Sequence, residues 1–215
     1  MPETVGYDEM VRMLRGAAEK VATQHERLSQ LDAAIGDGDH GTAMRKAMRL
    51  LAKAVGGHRS RDLDGMLSEV AWAVLGAGGG ATGPLLGTFF LGMAEAAQGR
   101  ASLDVPALAG GFEHALAAVR RQTKAEPGDK TMLDALMPAV EAVRASAEAG
   151  KTPPAALADA ADAAERGAEA TTDMQARLGR AAKLGERSVG TADPGATSVA
   201  LMFRGFADAL ASGAT

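Results

Sequence analysis

Met10-Val11-Arg12-Met13-Leu14-Arg15-Gly16-Ala17-Ala18-Glu19-Lys20-Val21 sets Met10, Met13, Leu14, Ala17 and Val21 at steps of three and four. That spacing lines one stripe of an α-helix and no single face of a strand. The stripe continues to Leu28 and predicts a first helix from Gly6 to Leu31. Periodicity and punctuation predict seven more: Thr42 to Val55, Asp62 to Leu75, Pro84 to Gln98, Val105 to Lys124, Lys130 to Ala149, Pro154 to Leu178 and Pro194 to Ala211. Gly56-Gly57, Gly99 and Gly150 stand as helix terminators. Pro84, Pro154 and Pro194 stand at first helical positions, where the missing N–H costs nothing.

Composition agrees. Of 215 residues 47% are hydrophobic but only 3% aromatic, so the core is built from Ala, Leu, Val and Met. These favour helix over strand, and the expected fold is all-α. No linker rich in Ser, Gly or Pro divides the chain, so residues 1–215 read as a single domain. The net charge of −4, without a run of Lys or Arg, argues against a nucleic-acid partner. No apolar run reaches the roughly 18 residues of a membrane span. Met1 to Asp8 lacks the pattern of a secretory signal, and the absence of cysteine excludes disulfide and thiol chemistry. A soluble cytoplasmic protein is the expectation.

The connections are of two kinds. Gly56 to Arg61, Gly99 to Asp104 and Gly150 to Pro153 are ordinary turns. Gly36-Asp37-Gly38-Asp39-His40-Gly41, Gly76 to Gly83, Glu126-Pro127-Gly128-Asp129 and Gly179 to Asp193 are unlike them. In an up-and-down arrangement alternate connections lie at one end, so these four meet at one rim, each leading into a helix. Helix N-termini gathered there present unpaired N–H groups and positive dipole ends to an anion.

Asp32, Asp37 and Asp39 place three carboxylates within eight residues. Two carboxylates about 4 Å apart repel by about 4 kcal/mol at an effective dielectric of about 20. A hard divalent cation removes that cost, and all-oxygen ligation with positions left for phosphate and water suits magnesium. A calcium EF-hand is excluded, because Gly41 and Met48 stand where it needs ligands. The same stretch also reads as a solvated turn with Asp39 or His40 capping a helix. In the second loop, Gly76 to Pro84, Thr82 offers its hydroxyl to a cap or a phosphate, and a plain hinge is the other reading. Gly36-x-Gly38-x-x-Gly41 and Gly78-x-Gly80-x-x-Gly83 match a dinucleotide fingerprint, but neither follows a strand. Gly150-Lys151-Thr152 lacks the first glycine of a P-loop, since Ala145 stands there. Asp129 and Asp193 read as helix caps, Arg180 and Arg187 as cations able to meet phosphate, and Lys183 as a solvated charge. His25, His58 and His114 read as surface or packing residues, and Met93, Met132 and Met202 as core, although methionine also suits an adenine pocket.

Ile35-Gly36-Asp37-Gly38-Asp39-His40-Gly41, Gly80-Ala81-Thr82-Gly83-Pro84, Gly128-Asp129-Lys130-Thr131-Met132-Leu133-Asp134 and Gly179-Arg180 through Asp193-Pro194-Gly195-Ala196-Thr197 together resemble the L subunits of dihydroxyacetone kinases, in order and over nearly the whole chain. The resemblance implies an eight-helix antiparallel barrel with a nucleotide, ADP or ATP, at one rim. Asp32, Asp37 and Asp39 would hold two magnesium ions. His40, Gly41, Thr42 and Ala43, with Ala81 and Thr82, would line the phosphates. Gly128, Met132, Arg180 and Asp193-Pro194-Gly195 would complete the pocket. No catalytic residue separate from the metal site is implied. A K subunit would bind dihydroxyacetone covalently through a histidine and receive the phosphoryl group, drawn from free ATP or from a phosphotransferase-system protein that recharges bound ADP. A tetrose or other ketose acceptor, or a non-catalytic module sensing nucleotide state, are the alternatives. Thr82 stands where the family has serine, and Ala182-Lys183 where it has a Ser-Tyr pair.

Overall fold

The computed structural model describes residues 3–78 and 80–212. Met1, Pro2 and Gly79, which entered the readings of the chain's start and of the glycine-rich loop, lie outside the described residues.

The first expected helix is two, α1 (Tyr7–Thr23) and α2 (His25–Ile35). The Thr23 hydroxyl donates back to the carbonyls of Glu19 and Lys20 at 2.9 and 3.0 Å. Such back-bonding competes with the helix ladder, and the Gln24 N–H turns to Val21 O in a tighter bond before the helix restarts. Then come α3 (His40–Gly57), α4 (Leu63–Leu75), α5 (Thr82–Ala97), α6 (Val105–Arg120), α7 (Leu133–Glu148), α8 (Pro153–Ala170) and α9 (Pro194–Ala211). Four ends depart from expectation, the first at α2, which runs on to Ile35 rather than stopping at Leu31. The fifth segment stops at Arg120 rather than Lys124, and the sixth starts at Leu133 rather than Lys130. The seventh stops at Ala170 rather than Leu178. There the Thr171 hydroxyl takes the Ala168 carbonyl at 2.5 Å and a 3₁₀ turn, Thr171–Asp173, leads the chain away.

Packing follows a closed cycle. α1 packs on α3, each helix from α3 to α9 packs on the next, and α9 returns to α1. A Lys20–Asp208 ion pair at 2.5 Å spans that last contact. α2 lies outside the cycle against α3 and α9. α3, α5, α7 and α9 begin at the end where α4, α6 and α8 finish, so neighbours run antiparallel around an eight-helix barrel. A two-residue strand pair, Val5–Gly6 with Ser102–Leu103, ties the chain's start to the α5–α6 turn. It is the one non-helical pairing among the described residues, and two-residue strands lie below what periodicity can detect.

The interior is packed by Leu, Val, Ala and Met side chains around a cluster of the chain's five phenylalanines, Phe89, Phe90, Phe112, Phe203 and Phe206. Their neighbouring ring centroids lie 5.4–6.5 Å apart. Met93 and Met202 are buried as expected. So is His58, which stands between Asp62 (3.3 Å) and Glu69 (3.1 Å) at the α3–α4 turn. No helix among the described residues is long and apolar enough to cross a membrane.

Candidate functional site

The four unusual loops meet. A cavity of about 450 Å³ at the rim takes wall residues from all of them: Asp32, Gly36, Asp39 and His40; Gly80, Ala81 and Thr82; Lys130, Thr131 and Met132; and Gly179, Arg180, Asp193, Pro194 and Gly195. This volume falls in the range of small-molecule sites.

Asp32 projects from the last turn of α2, while Asp37 and Asp39 sit in the loop beyond. One oxygen from each lies within 4.8 Å of the others. Gly38, at φ 78°, makes the reversal that returns Asp39 toward Asp37. Asp32 Oδ2 accepts from the His40 N–H at 3.1 Å, so the first carboxylate also steadies the start of α3. Arg180 Nη1 makes an ion pair with Asp37 and stands 3.6 Å from Asp39, supplying positive charge to the trio from across the cavity. An all-carboxylate set at this spacing fits a hard, oxygen-seeking divalent cation.

Helix starts at this rim are satisfied in different ways. α3, α5 and α7 have no side-chain cap, and only α9 has one, Asp193 Oδ2 accepting from Ala196 N at 2.7 Å. At the opposite end Asp62 caps α4 (Gly65 N, 3.0 Å) and Asp104 caps α6 (Ala107 N, 2.9 Å). There α8 opens on Pro153-Pro154, which bring no N–H. The His40 N–H that opens α3 is taken by Asp32 Oδ2 and the Leu133 N–H that opens α7 by Thr131 Oγ1 at 3.3 Å, so among the described residues α5 is the rim helix whose start meets no side-chain acceptor, ready for an anion.

Asp193 and His40 are two wall groups whose titration is displaced by their surroundings. Asp193, deep in the pocket wall, has its carboxyl pushed up to about 7. Loss of hydration is the largest cause and Asp134 adds to it, outweighing the bonds from Ala196 and Gly195 and the charge of Lys130. His40 is held below its usual value because burial outweighs the pull of Asp32, a backbone bond at Pro194 and Asp39. Its Nε2 shares a 2.8 Å hydrogen bond with Ser198 Oγ on α9, which joins the first and fourth loops.

Not every expected residue faces the cavity. Gly41 is buried against α2, where a methyl group would meet the His25 carbonyl oxygen at 1.9 Å, so it lets two helices touch. Thr42 and Ala43 follow in the first turn of α3, and Asp37 stands at the edge, outside the cavity wall. Gly128 lies in the third loop, its N–H given to Asp134 Oδ1 at 2.5 Å. Asp129 is not the cap expected of it. Its carboxylate accepts from Glu126 N at 2.8 Å, and Asp134 takes the organising role by also accepting from Thr131 N at 2.7 Å. The wall also contains Thr123 and Lys124, hidden in the sequence by the helix expected to run to Lys124, together with Ala125 and buried Lys130.

A closed helical barrel with an acidic trio and helix starts at one rim defines a class of protein suited to hold a polyanion with a hard cation. Residues 34–208 match the DAK2 domain model, and the chain belongs to that family. It is 41% identical over 196 residues, 91% of its own length and 93% of the relative's, to the ADP-binding subunit DhaL of the PEP-dependent dihydroxyacetone kinase of Escherichia coli. It is 36% identical to the D-erythrulose kinase of Mycolicibacterium smegmatis over 93% of this chain and 35% of that protein. The dihydroxyacetone kinase of C. freundii, solved in complex with AMP-PNP and Mg2+, superposes with a TM-score of 0.70 at 28% identity, over 92% of this chain and 33% of that one.

Proposed function

We propose that this chain, acting as one domain over residues 1–215, is the nucleotide-carrying subunit of a dihydroxyacetone kinase. It holds ADP or ATP at the rim and passes a phosphoryl group to dihydroxyacetone on a partner subunit. The observation that carries the reading is the trio Asp32, Asp37 and Asp39 converging beside a cavity that all four loops build. The trio would hold magnesium, two ions in the fullest form of the proposal, and the ions would neutralise phosphate oxygens. His40 at the start of α3, with Ala81 and Thr82, faces the phosphates, and Gly41, Thr42 and Ala43 continue the turn behind it. Met132 and the Asp193-Pro194-Gly195 turn face the rest of the nucleotide, with Gly128 beneath. Phosphoryl transfer is governed by positioning and charge stabilisation, so no further base on this chain is required. The triose, covalently held through a histidine, belongs to the partner. The likeness to a PEP-dependent subunit supports a phosphotransferase-system donor that recharges bound ADP. The likeness to a D-erythrulose kinase supports a tetrose as second acceptor.

The test is reconstitution. Mixed with a dihydroxyacetone-binding subunit and a phosphoryl source, the chain should yield dihydroxyacetone phosphate, and neither subunit alone should. Asp37→Asn should weaken Mg-ADP binding at least about tenfold, about 1.4 kcal/mol, with helicity unchanged, because an amide neutralises no cation charge. Unchanged affinity in that variant removes the metal assignment. Tight ADP binding without transfer to either ketose, whatever the partner, points instead to a nucleotide-sensing module.

A further inference from the structure

Lys130 is a buried cation for which the proposed chemistry has no use. It precedes α7 by three residues, is 2% exposed, and has its backbone at φ 62°, a region that side-chain-bearing residues rarely occupy. Its ammonium donates to three backbone carbonyls, Thr171 at 2.6 Å, Thr191 at 2.6 Å and Met174 at 3.1 Å. An ammonium has three protons to give, so these acceptors satisfy it fully. Among the described residues no carboxylate comes within ion-pair distance, and Asp193 and Asp173 act on it only from further off.

The three carbonyls share one property. Thr171 and Met174 form the outgoing foot, and Thr191 the returning foot, of the long excursion between α8 and α9. The same feet are joined by Gly190 N to Thr172 O (2.8 Å) and Asp193 N to Thr171 Oγ1 (2.8 Å). Arg177 N, further along, is tied to Asp129 O at 3.2 Å. Arg180, which reaches Asp37 and Asp39, stands on the far part of that excursion. Lys130 itself belongs to the third loop and lines the cavity two residues before Met132. One side chain of the third loop therefore closes the neck of the fourth.

We propose that Lys130 is a positioning residue for nucleotide binding: by gathering both feet of the 171–191 excursion it sets Arg180 over the rim, where the phosphates lie. This rests on the reading of the cavity as a nucleotide site. Lysine suits the task because its point charge satisfies three converging carbonyls, whereas a neutral side chain of the same length leaves the Met174 and Thr191 carbonyls without this donor and Thr171 O with the Met174 N–H alone.

The test uses the full chain with Lys130→Met, Arg180→Ala and the double variant, titrated with ADP at saturating magnesium. Each single variant should raise the ADP dissociation constant at least tenfold. The double variant should be no more than about twofold worse than Lys130→Met, because the first change already removes what the second deletes. Trypsin should cut faster after Arg177, Arg180, Lys183 and Arg187 in Lys130→Met than in the native chain. Effects that multiply independently, or native ADP affinity in a helical Lys130→Met protein, overturn the proposal. Should Lys130→Met lose its helicity, Lys130→Arg carries the test. Trypsin resistance of the excursion and ADP affinity must then hold or fall together, and a clipped excursion with native affinity overturns the proposal. Native protein that binds no ADP would instead be a failure of the nucleotide reading, and the trypsin comparison then decides the role of Lys130 alone.

Discussion

Arg180 occupies a contested place. Its guanidinium partners Asp37 and Asp39, the carboxylates proposed to hold magnesium, from an excursion that also walls the rim cavity. A cation entering the trio competes with it, while a phosphate entering beside the cation gives it a new partner. An ion pair between side chains about half exposed is worth about 0–1 kcal/mol, whereas a hydrogen bond to a charged phosphate contributes about 1.5–3 kcal/mol. The two halves of the Arg180→Ala experiment therefore have opposite signs. Magnesium alone should bind slightly more tightly to the variant, by up to about fivefold, and ADP at saturating magnesium about ten- to a hundredfold more weakly. Isothermal titration of each ligand separates them. Weaker magnesium binding in the variant would mean that Arg180 organises the trio instead of competing for it.

At the scale of the element, α9 begins on a carboxyl whose surroundings oppose its charge. A capping aspartate at an open surface is held in its charged form by the helix N-terminus. Asp193 has the same bonds but lies deep in the pocket wall, and dehydration wins, pushing it up to about 7. The sign follows from proton counting. Between the unfolded value, near 4, and about 7 the folded chain holds a proton that the unfolded chain has lost, so this group's contribution to stability falls as pH rises through that window and is lowest above it. Asp193→Asn keeps an oxygen for the Ala196 N–H and never titrates. Its melting temperature should exceed that of the native chain at pH 8, with the gap closing toward pH 5, as thermal unfolding across that range will record. Periodicity made the elements themselves legible: α9 spans the residues expected of it, and α4 differs only in counting Asp62 as its cap. What escaped was decided by contacts that apolar periodicity does not report. The break at Gln24 comes from local back-bonding, the early end of α6 hands Thr123 and Lys124 to the cavity, and the early end of α8 turns the Thr171 and Met174 carbonyls to Lys130. The acidic trio was visible because its members are close in sequence. Asp134 and Lys130 were not, because their partners are set by how the third and fourth loops fold back on one another.

For the molecule as a whole, the barrel and its rim meet opposite demands. The cycle of eight helices closes on an apolar interior, while the rim gathers the polar groups of four loops around its cavity. The chain carries a net charge of −4 and sets three carboxylates at the mouth of that cavity, so a nucleotide approaching without metal meets repulsion. Magnesium held by the trio, as proposed, would reverse the local sign and let the positive ends of α3, α5 and α7 act on the phosphates. Ligand that binds only the folded chain stabilises it by mass action, about 2.7 kcal/mol at a free concentration about 100 times the dissociation constant. For a chain of this size that corresponds to a melting temperature higher by about 5–10 °C. Mg-ADP should produce a shift of that order, and the same ADP with a chelator in place of magnesium almost none. Equal shifts in the two titrations would mean that the nucleotide is held without the acidic trio, by the helix starts and Arg180 alone.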